Sequence, residues 1–168
     1  MGTYVRIAGA VTAAAALTVA LTGTASAATT TTTETAKASA APAATSAARS
    51  TVVKLNNWTG CTLTRENWWL SHGIWTFDPP VHIYNGQQGS WSSESNGFAT
   101  GTEGYARFFA DNCANPVLNS RSIQVHWNNP YVGSNSYDSN GTDTKFYVPQ
   151  PAGGGGNNAT AEFSAWGL

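Results

Sequence analysis

The chain is poor in charge, in cysteine and in catalytic motifs, and each shortage removes a class of function. Only 10% of its 168 residues are charged. Over 51–168 five basic side chains stand against eight acidic ones, a net charge of −3. That balance excludes a nucleic-acid groove or a polybasic membrane patch. The two cysteines, Cys61 and Cys113, lack the close spacing of a metal or redox pair. HExxH and GxSxG are both missing, so the coexistence of His72, His82 and His126 with Glu66, Asp78 and Asp111 carries no nucleophile or metal signature. No enzyme activity, cofactor or metal is expected. Helical periodicity is also missing after Ser50, which points away from a helical domain.

What is present begins with an export-like leader. Arg6 supplies a positive start, an apolar run follows from Ile7 to about Leu21, and Ala25-Ser26-Ala27 offers small residues for cleavage. The run is rich in alanine and shorter than the roughly 20 residues of a spanning helix, so 1–27 reads as a signal peptide and the protein as secreted. Residues 28–50 are almost wholly Ala, Thr and Ser, with Pro42 among them; such a segment has nothing large to bury and reads as a disordered linker.

Residues 51–168 hold all seven tryptophans, all six phenylalanines and five of six tyrosines, enough for one core and one domain. Runs rich in Val, Ile, Thr and aromatics, divided by Gly, Pro, Asn and Ser clusters, predict an all-β fold. The expected strands are 51–56, 61–70, 73–77, 81–84, 89–94, 104–110, 122–127, 145–148 and 159–166. Alternation is clearest in Val81-His82-Ile83 and Ile123-Gln124-Val125-His126-Trp127, which places His82 and His126 on a water-facing side. Asn85-Gly86, Asn96-Gly97 and Asn140-Gly141 are expected turns, and Gly153 to Gly156 with Asn157-Asn158 a flexible hairpin loop. An antiparallel β-sandwich follows most simply. An oxidising exterior would close Cys61 and Cys113 into a disulfide. Sequons at Asn57, Asn140 and Asn158 carry no functional weight.

Three segments then stand out in order: Glu94-Ser95-Asn96-Gly97-Phe98, Gly101-Thr102-Glu103-Gly104 and Asn129-Pro130-Tyr131-Val132-Gly133-Ser134-Asn135-Ser136-Tyr137. Taken singly they read as sandwich corners, where glycine and asparagine accept backbone angles that other residues resist. Taken together they resemble the aegerolysins, most closely the small aegerolysin-like component of binary insecticidal crystal toxins. The likeness runs from about Val52 to Phe163 and rests mainly on 94–137. It implies a β-sandwich similar to the actinoporins, affinity for membrane lipids (sphingolipids among them) and pore formation with a larger partner protein. It transfers no catalytic residue. The crystal-toxin relatives generally lack an export signal and a cysteine pair, so this chain departs from them at both points.

A lipid-binding surface needs aromatics able to sit at the water–hydrocarbon boundary and a few polar groups for the head group. Trp68, Trp69, Trp91, Glu94, Tyr131 and Tyr137 are the expected lipid-binding residues. Neighbours on a strand face opposite ways, so one of Trp68 and Trp69 should be buried. Trp75 and Trp127 fit the core better. Glu103 reads as a carboxylate satisfying backbone N–H groups in a turn. The rival reading is a secreted carbohydrate-binding or protein-binding module, since exposed Trp and Tyr serve sugar stacking equally well.

Overall fold

The computed structural model describes residues 48–168. The expected signal peptide and most of the linker lie outside the described residues. The first strand opens at Ser50, so the end of the expected linker is paired in a sheet. The strands are β1 (Ser50–Trp58), β2 (Thr62–His72), β3 (Ile74–Phe77), β4 (His82–Ile83), β5 (Gln88–Glu94), β6 (Thr102–Asp111), β7 (Ser122–Asn129), β8 (Ser136–Asp138), β9 (Phe146–Tyr147), β10 (Ala152–Gly153) and β11 (Asn158–Gly167). A 3₁₀ turn at Pro116–Leu118 follows β6, its first amide capped by the Asn115 side chain.

All nine expected strands are present, and β8 and β10 are added. One sheet runs β10-β11-β1-β5-β3, with β9 also on β11; the other runs β4-β2-β6-β7-β8. The sandwich is antiparallel except at its centre, where β1 and β11 are parallel, Ser50 opposite Asn158 and Trp58 opposite Trp166. The chain reaches β11 from the far sheet, through β8, β9 and β10, and so enters from the same end as β1.

Alternation decides which side chains meet. Val53 and Leu55 from β1, Trp91 from β5, and Ala161, Phe163 and Ala165 from β11 face Leu63, Ala106, Phe108, Ala110, Ile123, Val125 and Trp127 from the second sheet, all buried. Trp91 lies 5.8 Å from Phe108 and 6.3 Å from Trp127, centre to centre. Gly104 leaves room for side chains from the two strands that flank it in its own sheet: a Cβ there would stand 2.5 Å from Leu70 Cδ2 on β2 and 2.7 Å from Trp127 Cζ2 on β7. Trp127 is core as expected, whereas Trp75 sits half-buried at the margin, edge-on to Trp127 at 5.7 Å.

Cys61 and Cys113 are bonded, joining the β1–β2 connection to the segment after β6 across 52 positions. Asn57 is fully buried, and its amide donates to the Cys61 and Ile83 carbonyls; this sequon is therefore an internal brace of the fold. The glycine run is not a free loop. Gly153 pairs with Ala161 in β10, and Gly154, at φ 81°, is buried where a Cβ would meet the Tyr137 ring at 2.4 Å. In the Asn96-Gly97 segment the left-handed position falls on Ala99, because the turn is shaped by the Thr100 hydroxyl bonding Gly97 at both its N–H and C=O.

Candidate functional site

All three singled-out segments gather at one end of the sandwich, the end where β1 begins. Register explains this: Ser50 and Ile74 both lie opposite Glu94, His72 opposite Glu103, and Thr102 opposite Asn129. The loop 95–101 leaves β5 here, and the loop 130–135 leaves β7 beside it. Both are tied to the first sheet by side chains. The Arg49 guanidinium donates to the Pro130 and Tyr131 carbonyls and lies 5.5 Å from the Tyr131 ring centre, while its own carbonyl accepts from Ser95 N–H. The Asn129 amide donates to the Ser50 and Asn157 carbonyls, each at 2.9 Å.

Two hydrophobic tips project from this braced end. Phe98 is 97% exposed and Val132 82% exposed, with Ile74 and Tyr131 also exposed nearby. Between the two loops lies an open cavity of about 630 Å³, lined by His72, Thr100, Glu103, Asn128, Tyr131 and Val132 among others. A second hollow of about 520 Å³ lies beside it, bordered by Arg49, Asn135, Tyr137 and the glycines of β10 and its turn.

Below the cavity a row of rings crosses the outer face of the second sheet. Trp69, Tyr105, His126 and Asp138 are successive register partners on β2, β6, β7 and β8. Trp69 stacks on Tyr105 at 4.6 Å, and Tyr105 on His126 at 4.3 Å. His126 Nδ1 lies 2.7 Å from Asp138 Oδ2 and Nε2 lies 3.1 Å from Glu103 Oε1, so two acceptors hold the ring from either side. The other Glu103 oxygen faces His72 Nε2 at 3.9 Å.

This arrangement corrects several expectations. Trp91 is 1% exposed and cannot meet a lipid: it follows the strand parity, with Ser90 and Ser92 on the outward side. His126 is buried rather than solvated, because Tyr105 and the two carboxylates cover it. Glu103 lies within β6 and serves the histidine, not backbone amides of a turn. Tyr137 is half-buried, its hydroxyl donating to the Gly154 carbonyl at 2.8 Å and its ring edge-on to Phe163. Burial raises the Tyr137 phenol above its ordinary value, against a smaller lowering by the Asn135 side chain. Trp68 is half-buried with the Arg65 guanidinium 3.6 Å above its ring. Trp69, Glu94 and Tyr131 do lie at or near the loop end.

Of the motif residues, Thr102, Gly104 and Asn129 are buried in the frame, as is Ser95. Asn96, Gly97 and Gly133 lie on the exposed loops, Gly101 and Pro130 at their roots, and Asn135 donates to the Gly154 and Gly156 carbonyls. Sequence reasoning passed over Phe98, Val132 and Arg49. The available signal was a bulky apolar residue inside a Ser-, Asn- and Gly-rich turn, where no strand exists to bury it.

No protein-family model matches the chain, and no curated protein matches it significantly. Solved structures do. The lipid-binding protein Nakanori is similar at 16% identity and a TM-score of 0.56, with 71% of this chain and 72% of that one covered. The RahU protein, solved with a TRIS molecule, is similar at 13% identity and a TM-score of 0.58, covering 73% of this chain and 98% of that one. The shared fold is the β-sandwich expected from the sequence.

Proposed function

We propose that this is a secreted, non-enzymatic protein that docks reversibly on lipid membranes through its loop end. The observation that carries the reading is the pair of projecting apolar tips, Phe98 and Val132, on loops fixed by Arg49 and Asn129 beside a cavity with one carboxylate, Glu103. An apolar side chain held out in water gains by entering the boundary of a bilayer, and the ties lower the entropy lost when it does so. Tyr131 suits the interfacial zone, with its ring in the apolar layer and its hydroxyl wet. Glu103 and His72 at the cavity wall supply polar contacts for a head group, which gives the surface a means of choosing among lipids, sphingolipids included. A net charge of −3 over 51–168 leaves hydrophobic docking, not bulk attraction to anionic lipid, as the source of affinity. Nakanori, of similar fold, is a lipid-binding protein, which supports the reading.

Among the described residues no helix is long and apolar enough to cross a membrane. In this proposal permeabilisation requires assembly of several copies or a larger pore-forming partner protein. The test is co-sedimentation of the purified protein with liposomes of phosphatidylcholine alone, with sterol, with sphingomyelin and with ceramide phosphoethanolamine. Pelleting with one sphingolipid mixture that persists in added salt, and that falls in Phe98→Ala, supports the proposal. Absence of pelleting with every mixture overturns it.

A further inference from the structure

We infer that the outer face of the first sheet, at the end opposite the loops, is a second binding site that takes an uncharged oligosaccharide of flat, equatorially linked sugar rings. Trp58, Trp166 and Tyr147 form one cross-strand row there: Trp58 lies opposite Trp166 on β1 and β11, and Trp166 opposite Tyr147 on β9. All three are exposed, at 50%, 38% and 55%. The Trp166 and Tyr147 ring centres are 6.0 Å apart with planes 34° from parallel, a gentle twist that follows the sheet. Strands are about 4.8 Å apart, so the row extends about 10 Å, a platform for successive sugar rings.

The strands did not need aromatics here for folding, because these side chains point away from the core that Asn57, Ala165 and Phe146 complete on the inner side. Three large rings held in water on adjacent strands are costly for solubility, and such patches mark contact surfaces.

The neighbouring rows specify the occupant. Next to the aromatic row lie Gln88, Asn56 and Ser164, in register on β5, β1 and β11. The Asn56 amide donates to Glu162 Oε1 at 2.8 Å and Ser164 Oγ at 3.2 Å, and Gln88 Nε2 donates to Asn56 Oδ1 at 2.8 Å. The network fixes these groups in place while leaving the Gln88 carbonyl, the second Glu162 oxygen and the Ser164 hydroxyl proton for a ligand. Lys54 stands opposite Glu162 in register, so the patch has one charge of each sign and no net field for an ion. A bilayer would have to desolvate the amide and carboxylate network without replacing its hydrogen bonds. A sugar chain answers both parts: its axial C–H faces cover the rings and its equatorial hydroxyls reach the polar row.

The site lies at the opposite end of the molecule from Phe98 and Val132, so its test is separable from that of membrane docking. Isothermal titration of the purified protein with cellohexaose, chitohexaose and xylohexaose, with maltohexaose as the curved α-linked control, is the measurement. Binding of at least one β-1,4-linked hexaose is expected, at least tenfold tighter than maltohexaose, and at least tenfold weaker in both Trp166→Ala and Tyr147→Ala. Phe98→Ala, whose side chain touches neither row, should bind the sugar as the parent does and be weakened only in liposome pelleting. Circular dichroism checks each fold, and Trp166→Phe, which keeps a ring and the strand pairing, should retain most of the affinity if Trp166→Ala unfolds. No heat with any of the β-linked sugars, or unchanged affinity in the Tyr147 and Trp166 variants, overturns the inference.

Discussion

Replacing Trp91 tests whether strand parity assigns the tryptophans correctly. The ring is 1% exposed and packed between Phe108 and Trp127. Truncating such a ring to alanine costs about 3–5 kcal/mol through lost burial and an unfilled cavity. A domain of this size has about 5–15 kcal/mol of net stability, so about a fifth or more is lost, equivalent to roughly 10–20 °C in melting temperature. Trp91→Phe behaves differently. The indole N–H is buried without a hydrogen-bond partner, and removing an unpaired donor offsets part of the lost volume, so the cost should stay below about 1.5 kcal/mol. Urea unfolding followed by circular dichroism measures both, and liposome pelleting of the folded Trp91→Phe protein should equal that of the parent. A Trp91→Ala protein within about 1 kcal/mol of the parent in stability, but unable to pellet with liposomes, would refute the assignment and return Trp91 to the lipid surface.

Reduction of the Cys61–Cys113 bond, which closes a loop of 52 positions, should lower stability by about 4 kcal/mol on the chain-entropy account; unfolding curves with and without reductant read it directly. Phe98→Ala should leave the unfolding midpoint unchanged and weaken liposome partitioning about tenfold, from roughly 1.5 kcal/mol of lost apolar transfer. Because burial raises the Tyr137 phenol in the folded state, the unfolded chain ionises first as pH climbs. This contribution to stability is present below the ordinary phenol value of about 10 and is lost as pH rises through the folded one; alkaline phenolate titration of the parent against Tyr137→Phe should show one late-ionising group. Gly154→Ala should destabilise, since the position is left-handed and a Cβ would strike the Tyr137 ring, and the unfolding midpoint will report it.

The strands were legible because alternation is a property of each segment by itself. Ile123, Val125 and Trp127 announce their inward face, and so does Trp91 between Ser90 and Ser92, a signal masked when every exposed-looking tryptophan is weighed for lipid contact. β8 and β10 were not legible: three and two residues long, they are strands only because β7 and β11 offer an edge. His126 shows the same limit in the site. Its position on the outer side of β7 follows from parity, but its burial depends on Tyr105, Glu103 and Asp138, which arrive from two other strands. The gathering of the three motifs at one end was likewise a matter of register, which no single segment encodes. Phe98 was readable in principle, and was overlooked because the glycines and asparagines around it have a sufficient local explanation as turns.

The parallel pairing of β1 with β11 bears on the order in which the molecule can assemble. The two strands at the middle of the first sheet are separated by nearly the whole domain, Ser50 binding Asn158 side chain to side chain across 108 positions. Until β11 is available, β1 has β5 alone, and the inner wall formed by Ala161, Phe163 and Ala165 is missing. Contacts this remote must be closed before most of the hydrophobic gain is realised, the topology that gives slow folding. The loop end shares that dependence, because Arg49 and Asn129 fix it through the start of β1 and the entry to β11. A chain still lacking its last strand keeps the Arg49 ties and the Asn129 bond to Ser50 but loses the Asn129 bond to Asn157, so the loop end reaches its full bracing only in the event that completes the fold.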